Sequence, residues 1–151
     1  MEFNKKGLAV LELIGRILLV LIFVFAALGK IEDYDGTRLY MVSHGLPGGL
    51  LPIVIAIELL GGLAVMAGLW TRAAALLLAL FSAAAIAIFH HSFATMNDQI
   101  LILAETSFTG GLIVLAVHGP GCLSLDAFLR RARTKSSGGP AATDPLGNPR
   151  P

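Results

Sequence analysis

Charge is scarce in this chain of 151 residues: Asp, Glu, Lys and Arg together make up 14%, against about 25% in an ordinary soluble domain. Apolar residues reach 56%, and mean hydropathy is +0.79. A water-soluble fold of this size buries only about 70% of the surface its unfolded chain exposes, so it could not hide that much apolar area. A net charge of +1 gives no field that would hold a polyanion, which excludes a nucleic-acid partner. One cysteine, Cys122, excludes an internal disulfide and any paired-cysteine redox or zinc site. What remains is a membrane protein, its main partner the lipid bilayer, in one domain over residues 1–134 with a tail at 135–151.

About 20 apolar residues cross the hydrocarbon core. Four stretches qualify, at about 7–29, 48–70, 72–93 and 98–118. Each must be helical, because a segment in lipid has to satisfy its own backbone hydrogen bonds. The fold class is therefore all-α, an integral-membrane four-helix bundle. Lys5, Lys6 and the small pair Ala26-Ala27 mimic a signal peptide, but Glu12 and Arg16 interrupt its would-be apolar core, so the first helix is read as an uncleaved anchor. Lys5, Lys6, Arg72, Arg130, Arg131, Arg133 and Lys135 fall on one side, which places both termini in the cytoplasm of a bacterial inner membrane. Between the first two spans, residues 37–44 suit a short helix on the outer surface. Residues 124–133 put Leu125, Phe128 and Leu129 on one face and arginines on the other, an interfacial amphipathic helix held to anionic headgroups. The tail from Ser136 onward is rich in Gly, Pro, Ala and Ser and is expected to be disordered.

Helices in lipid associate through close backbone approach, which needs small residues. Ala75, Ala79, Ala83 and Ala87 recur every four residues and predict a packing seam, with Gly61, Gly62, Gly68, Gly110 and Gly111 facing it from other helices.

Charges at membrane depth are costly, about 2.5–3.5 kcal/mol each on insertion scales, and tend to be functional. Four are present: Glu12, Arg16, Glu58 and Glu105. Depth counting puts Arg16 and Glu58 both near the middle, with Glu12 toward the cytoplasm and Glu105 outside the centre. Arg16 needs an acceptor, and Glu58 or Glu12 is in reach. Either the pair fixes helix register, or the excess of carboxylates leaves Glu58 or Glu105 able to carry a proton or hold a polar ligand head. Lys30, Arg72 and His91 are read as interfacial. His90 and His91, at the outer end of the third span, point ~100° apart and do not readily share a metal. His118 lies at the opposite end, and pairing either of them with His44 would need the outer loop to fold inward. No metal site is expected.

The first span reads Arg16-Ile-Leu-Leu-Val-Leu-Ile-Phe and closes on Gly29-Lys30. The second reads Glu58-Leu-Leu-Gly61-Gly62 through Gly68 into Thr71-Arg72-Ala, and the third ends in His90. Over about residues 9–118 this resembles the DoxX family of small four-helix bacterial membrane proteins. The resemblance implies matching polar positions at Arg16, Lys30, Glu58, Arg72 and His90, whereas roles for Glu12, Glu105 and His118 rest on depth alone. It also implies a subunit or accessory component of a quinone-linked membrane oxidoreductase system. Any redox group would then be a quinone or belong to a partner, since the chain carries no flavin, haem or iron–sulfur motif. The chain would sit in a larger membrane complex or a homo-oligomer. A non-catalytic assembly subunit and a small proton-coupled transporter are the alternatives.

Overall fold

Asn4 starts the first helix: its side chain accepts from the Lys6 N–H, and the chain stays helical for 28 residues, α1 (Lys5–Glu32). The structure, a computed structural model, describes residues 4–89 and 95–137, with only the backbone given for Lys5 and residues 134–137. The expected last turn of the third span, His90 and His91 with it, and the tail from 138 lie outside the described residues. α1 is followed by α2 (Tyr34–Ser43), a 3-10 turn (Gly48–Leu50), α3 (Leu51–Ala67), α4 (Thr71–Phe89), α5 (Met96–His118) and α6 (Leu125–Ser137). Four stretches, Lys6–Glu32, Gly48–Ala67, Thr71–Phe89 and Met96–His118, are long and apolar enough to cross a membrane, so the chain is an all-helical membrane protein.

The helix ends show where local chemistry overrides hydropathy. Neither Gly29 nor Lys30 stops α1, which runs on to Glu32, and Asp33 both closes α1 and caps α2 by accepting from the Gly36 N–H at 3.1 Å. Most of the expected outer loop is thus helical. α3 stops at Ala67, three residues short of the expected end, because Gly68 takes a left-handed conformation (φ +74°) and the Leu69 N–H returns to the Ala64 carbonyl at 2.9 Å. α5 opens on a capping box in which Thr95 and Asp98 each accept from the other's backbone N–H.

α1 packs on α3, α3 on α4, and α4 on α5, with a lighter contact closing the ring between α1 and α5. Val20, Phe23, Val65, Ala75, Leu78, Ala79 and Leu112 form the core. Leu18, Leu60, Leu80 and Leu103, one on each long helix, are all more than 60% exposed, which is the pattern of a bundle turned toward lipid. Gly61 lies under Leu78, Gly62 under Val24 and the Val20 carbonyl, and Gly111 under Leu19. The alanine stripe serves as a seam over half its length: Ala75 and Ala79 are buried, Ala83 and Ala87 exposed. A four-residue spacing advances about 40° per step on a helix of 3.6 residues per turn, so the stripe winds off the interface. Gly110 departs from expectation too and faces open space.

At the end away from the termini, here the loop end, α2 lies back over the bundle. Met41 is buried, and Tyr40 and His44 close on Phe89 at the end of α4, with ring centroids 5.4 and 5.2 Å away.

Candidate functional site

The membrane-depth charges form two clusters at different levels, and the expected Arg16–Glu58 pair is in neither. Arg16 is buried, but Nη2 donates to the carbonyls of Leu123 (2.9 Å) and Met66 (3.3 Å), and Nη1 donates to the carbonyl of Pro120. Met66 is in the last turn of α3, and Pro120 and Leu123 lie in the link between α5 and α6. Arg16 therefore stands at the terminal end of the bundle, and α1 before it runs past the ends of α3 and α5. A helix of 28 residues is about 42 Å long, well over the ~30 Å hydrocarbon core. Counting depth from its first apolar residue set Arg16 too deep. The carbonyls it meets are orphan acceptors of a helix end and a link, the groups a buried arginine fork satisfies well.

Around Arg16 the polar contacts continue. The carboxylates of Glu12 and Asp126 are within its electrostatic reach. Glu12 is exposed and its carboxylate lies against Gly121, whose φ of +74° favours glycine. Asp126, in the first turn of α6, accepts from the N–H of Trp70 (2.9 Å), the N–H of Thr71 (3.1 Å) and the Thr71 hydroxyl (3.4 Å). It thus caps α4 from another helix, and its own N–H donates to the Gly68 carbonyl at 2.9 Å. Arg72 reaches the His118 carbonyl at 3.5 Å beneath Gly119.

The second cluster holds Glu58. Its carboxylate accepts both 2.9 and 2.8 Å hydrogen bonds from the Lys30 ammonium. Lys30, read from sequence as interfacial, is the partner that Arg16 was expected to be. Side chains on a helix lean toward its N-terminus. Because α1 and α3 are antiparallel, Lys30 leans into the bundle and Glu58 leans toward the loop end, so they meet although their Cα atoms differ in depth. The Glu58 side chain is 6% exposed and that of Lys30 26%, so the pair is reached from the lysine side. Glu105 on α5 is partly buried and close enough to Glu58 for the two carboxylates to repel. A carboxylate and an ammonium meet inside an apolar bundle, with a second carboxylate in electrostatic reach: an arrangement able to hold a polar head by donor and acceptor together.

Of the other candidates, His44 lies over Phe89, and His118 is exposed with Nδ1 2.9 Å from the Val114 carbonyl. His90 and His91 lie outside the described residues. Among the described residues no three His, Cys, Asp or Glu side chains gather as metal ligands would. Sequence reasoning missed Lys30 as partner and Asp126 altogether. The lean of antiparallel helices could have found the first; nothing local signals a cap supplied 55 residues away.

An all-α bundle with four membrane-crossing helices and charged residues buried between them defines a small polytopic membrane protein. The family model DoxX matches residues 11–91, and the chain belongs to the DoxX family. It is 40% identical to the inner membrane protein YqjF of Escherichia coli (strain K12) over 79% of this chain and 92% of that protein. It is 35% identical to the inner membrane protein YphA of the same organism, over 78% and 89%. It is 31% identical to the putative oxidoreductase CatD of Bacillus subtilis (strain 168), over 85% and 94%. No solved structure matches the chain.

Proposed function

We propose that the protein is an inner-membrane component of a quinone-linked redox system, with the Lys30–Glu58 pair as its working centre. The observation that carries this reading is the bidentate pair itself, part-buried between α1 and α3, with the Glu105 carboxylate within electrostatic reach of Glu58. The donor set fits a quinone head: an ammonium can donate to a carbonyl, and a carboxylate can accept from a hydroxyl. A bound quinone would supply the two-electron couple. The chain's own part is to hold that oxygen at the Lys30 ammonium and to exchange a proton with it through Glu58. The name carried by the Bacillus relative, putative oxidoreductase, agrees with this reading. An open face at Gly110, where nothing lies within 4 Å, offers another membrane helix a close approach, in a larger complex or in a homo-oligomer.

Quinone should co-purify with the protein in mild detergent and be lost from Glu58→Gln. Equal quinone in the two, or none in either, removes the basis of the proposal. We also place both termini in the cytoplasm, since Arg72, Arg130, Arg131 and Arg133 share the terminal end. Cys122 is exposed and is the chain's single cysteine. A membrane-impermeant thiol reagent should label it in inverted vesicles and leave it untouched in intact spheroplasts; the reverse pattern inverts the topology.

A further inference from the structure

A groove of about 500 Å³ opens at the terminal end between α4 and α6, away from the Lys30–Glu58 centre. Arg72 comes to it from α4, and Arg130 and Arg133 from α6, with Trp70, Pro120 and Leu129 between them. Three guanidinium groups from two helices line one concavity, and like charges so gathered favour an anion. One carboxylate, Asp126, also lines the groove, but it is committed to the Trp70 and Thr71 donors at the start of α4, and the Arg16 charge lies close behind it. Against the three guanidinium groups it leaves the groove with a net positive charge. Guanidinium forks match the oxygens of a phosphate in a way that single ammonium charges do not.

A second feature points to the kind of phosphate. Trp70 is 77% exposed and holds a left-handed backbone conformation (φ +48°), unfavourable for a bulky residue, which Asp126 secures through the Trp70 N–H. The indole is thus held at the rim, an amphipathic ring at the level where headgroups meet acyl chains. On α6, Leu125, Phe128 and Leu129 are exposed and apolar beside the arginines. A cationic concavity flanked by exposed apolar side chains suits a ligand with a charged head and a greasy tail.

We propose that this groove binds the phosphate of an anionic phospholipid headgroup, gripped by Arg72, Arg130 and Arg133 with Trp70 beside the first acyl carbons. Trp70 is the chain's single tryptophan, so its fluorescence reads the groove directly. The full-length protein in mixed micelles is titrated with phosphatidylglycerol or phosphatidylcholine brominated on the acyl chains, each competing with its unlabelled form. Phosphatidylglycerol should quench Trp70 at a mole fraction at least about thirtyfold lower, as expected for two or three basic contacts at an anionic headgroup. Arg130→Gln/Arg133→Gln on the exposed face of α6 should erase that preference with the circular dichroism unchanged, and Arg72→Gln alone should reduce it. Equal quenching by the two lipids in the wild type, or a preference that survives all three changes, overturns the proposal. A Trp70 response to millimolar inorganic phosphate without any lipid preference overturns it too, and assigns the groove to a soluble phosphate compound.

Discussion

Two cations held between these helices, Arg16 and Lys30, meet different kinds of hydrogen-bond acceptor. At the terminal end Arg16 meets backbone carbonyls; toward the loop end Lys30 meets a carboxylate. Carbonyls do not titrate and an arginine does not give up its proton, so the Arg16 fork and its acceptors have one state. The Lys30 ammonium and the Glu58 carboxylate it meets are groups that can exchange a proton, and the Glu105 carboxylate is within electrostatic reach of Glu58. The first cluster joins α1 to the end of α3 and the α5–α6 link, and through Asp126 to the start of α4. The second touches three side chains and no turn. Architecture is thus concentrated at one end of the molecule and exchangeable charge at the other, which is why the working centre is assigned to Lys30 and Glu58 rather than to Arg16.

Removing the rivet should have the largest effect. Arg16→Leu strands the carbonyls of Met66, Pro120 and Leu123; because only Pro120 is buried, each falls toward the lower end of about 1–3 kcal/mol for a polar group left unpaired, and the loss should reach about 3–5 kcal/mol. Thermal unfolding in detergent, with membrane yield, measures it. Arg16→Lys sharpens the comparison, because a single ammonium cannot serve as a planar fork to spread acceptors. It should recover only part of the melting temperature; full recovery would mean that charge alone matters there. At the other cluster, Lys30→Met and Glu58→Gln should each cost about 2–4 kcal/mol, and the double variant less than their sum, since each single change leaves one polar partner buried alone. Strict additivity in that double-mutant cycle would show that the pair is not coupled, and the contrast between the two ends would collapse.

How much of this was legible beforehand follows the range of the interactions. The spans were readable because lipid demands about 20 apolar residues, whereas the early end of α3 at Gly68 was not, because hydropathy alone carries the span on to residue 70. That Arg16 and Glu58 needed partners was also readable, since an isolated charge in apolar surroundings is too costly to leave alone. Their partners were not, because pairing depends on where helices start relative to one another. α1 overruns its neighbours at the terminal end, which moves Arg16 to the level of Met66 and brings Lys30 down toward Glu58. The half-working alanine stripe teaches the same lesson: Ala75 and Ala79 pack while Ala83 and Ala87 face out, because a repeat of four and a turn of 3.6 part company within three steps.

The smallest of these effects isolates how α6 is attached. Its backbone makes few contacts with the long helices, and its firmest tie is the Asp126 carboxylate on the first N–H groups of α4. Loss of an N-cap costs about 0.5–2 kcal/mol. Asp126→Ala should therefore lower global stability by about 1 kcal/mol while exposing α6 far more than the bundle. Hydrogen exchange should accelerate across Leu125–Ser137 and at the start of α4, and remain unchanged around Val20 and Leu112 in the core. Acceleration spread evenly over all the helices would instead make Asp126 part of the Arg16 rivet. Asp126→Asn separates the two roles, because an amide still accepts one hydrogen bond from α4 but removes the charge facing Arg16. If exchange in α6 stays slow in that variant, hydrogen bonding holds the helix and the terminal cluster is indeed a network of fixed dipoles; if it rises as in the alanine variant, the charge is what holds it, and the two ends of the molecule are more alike than their geometry suggests.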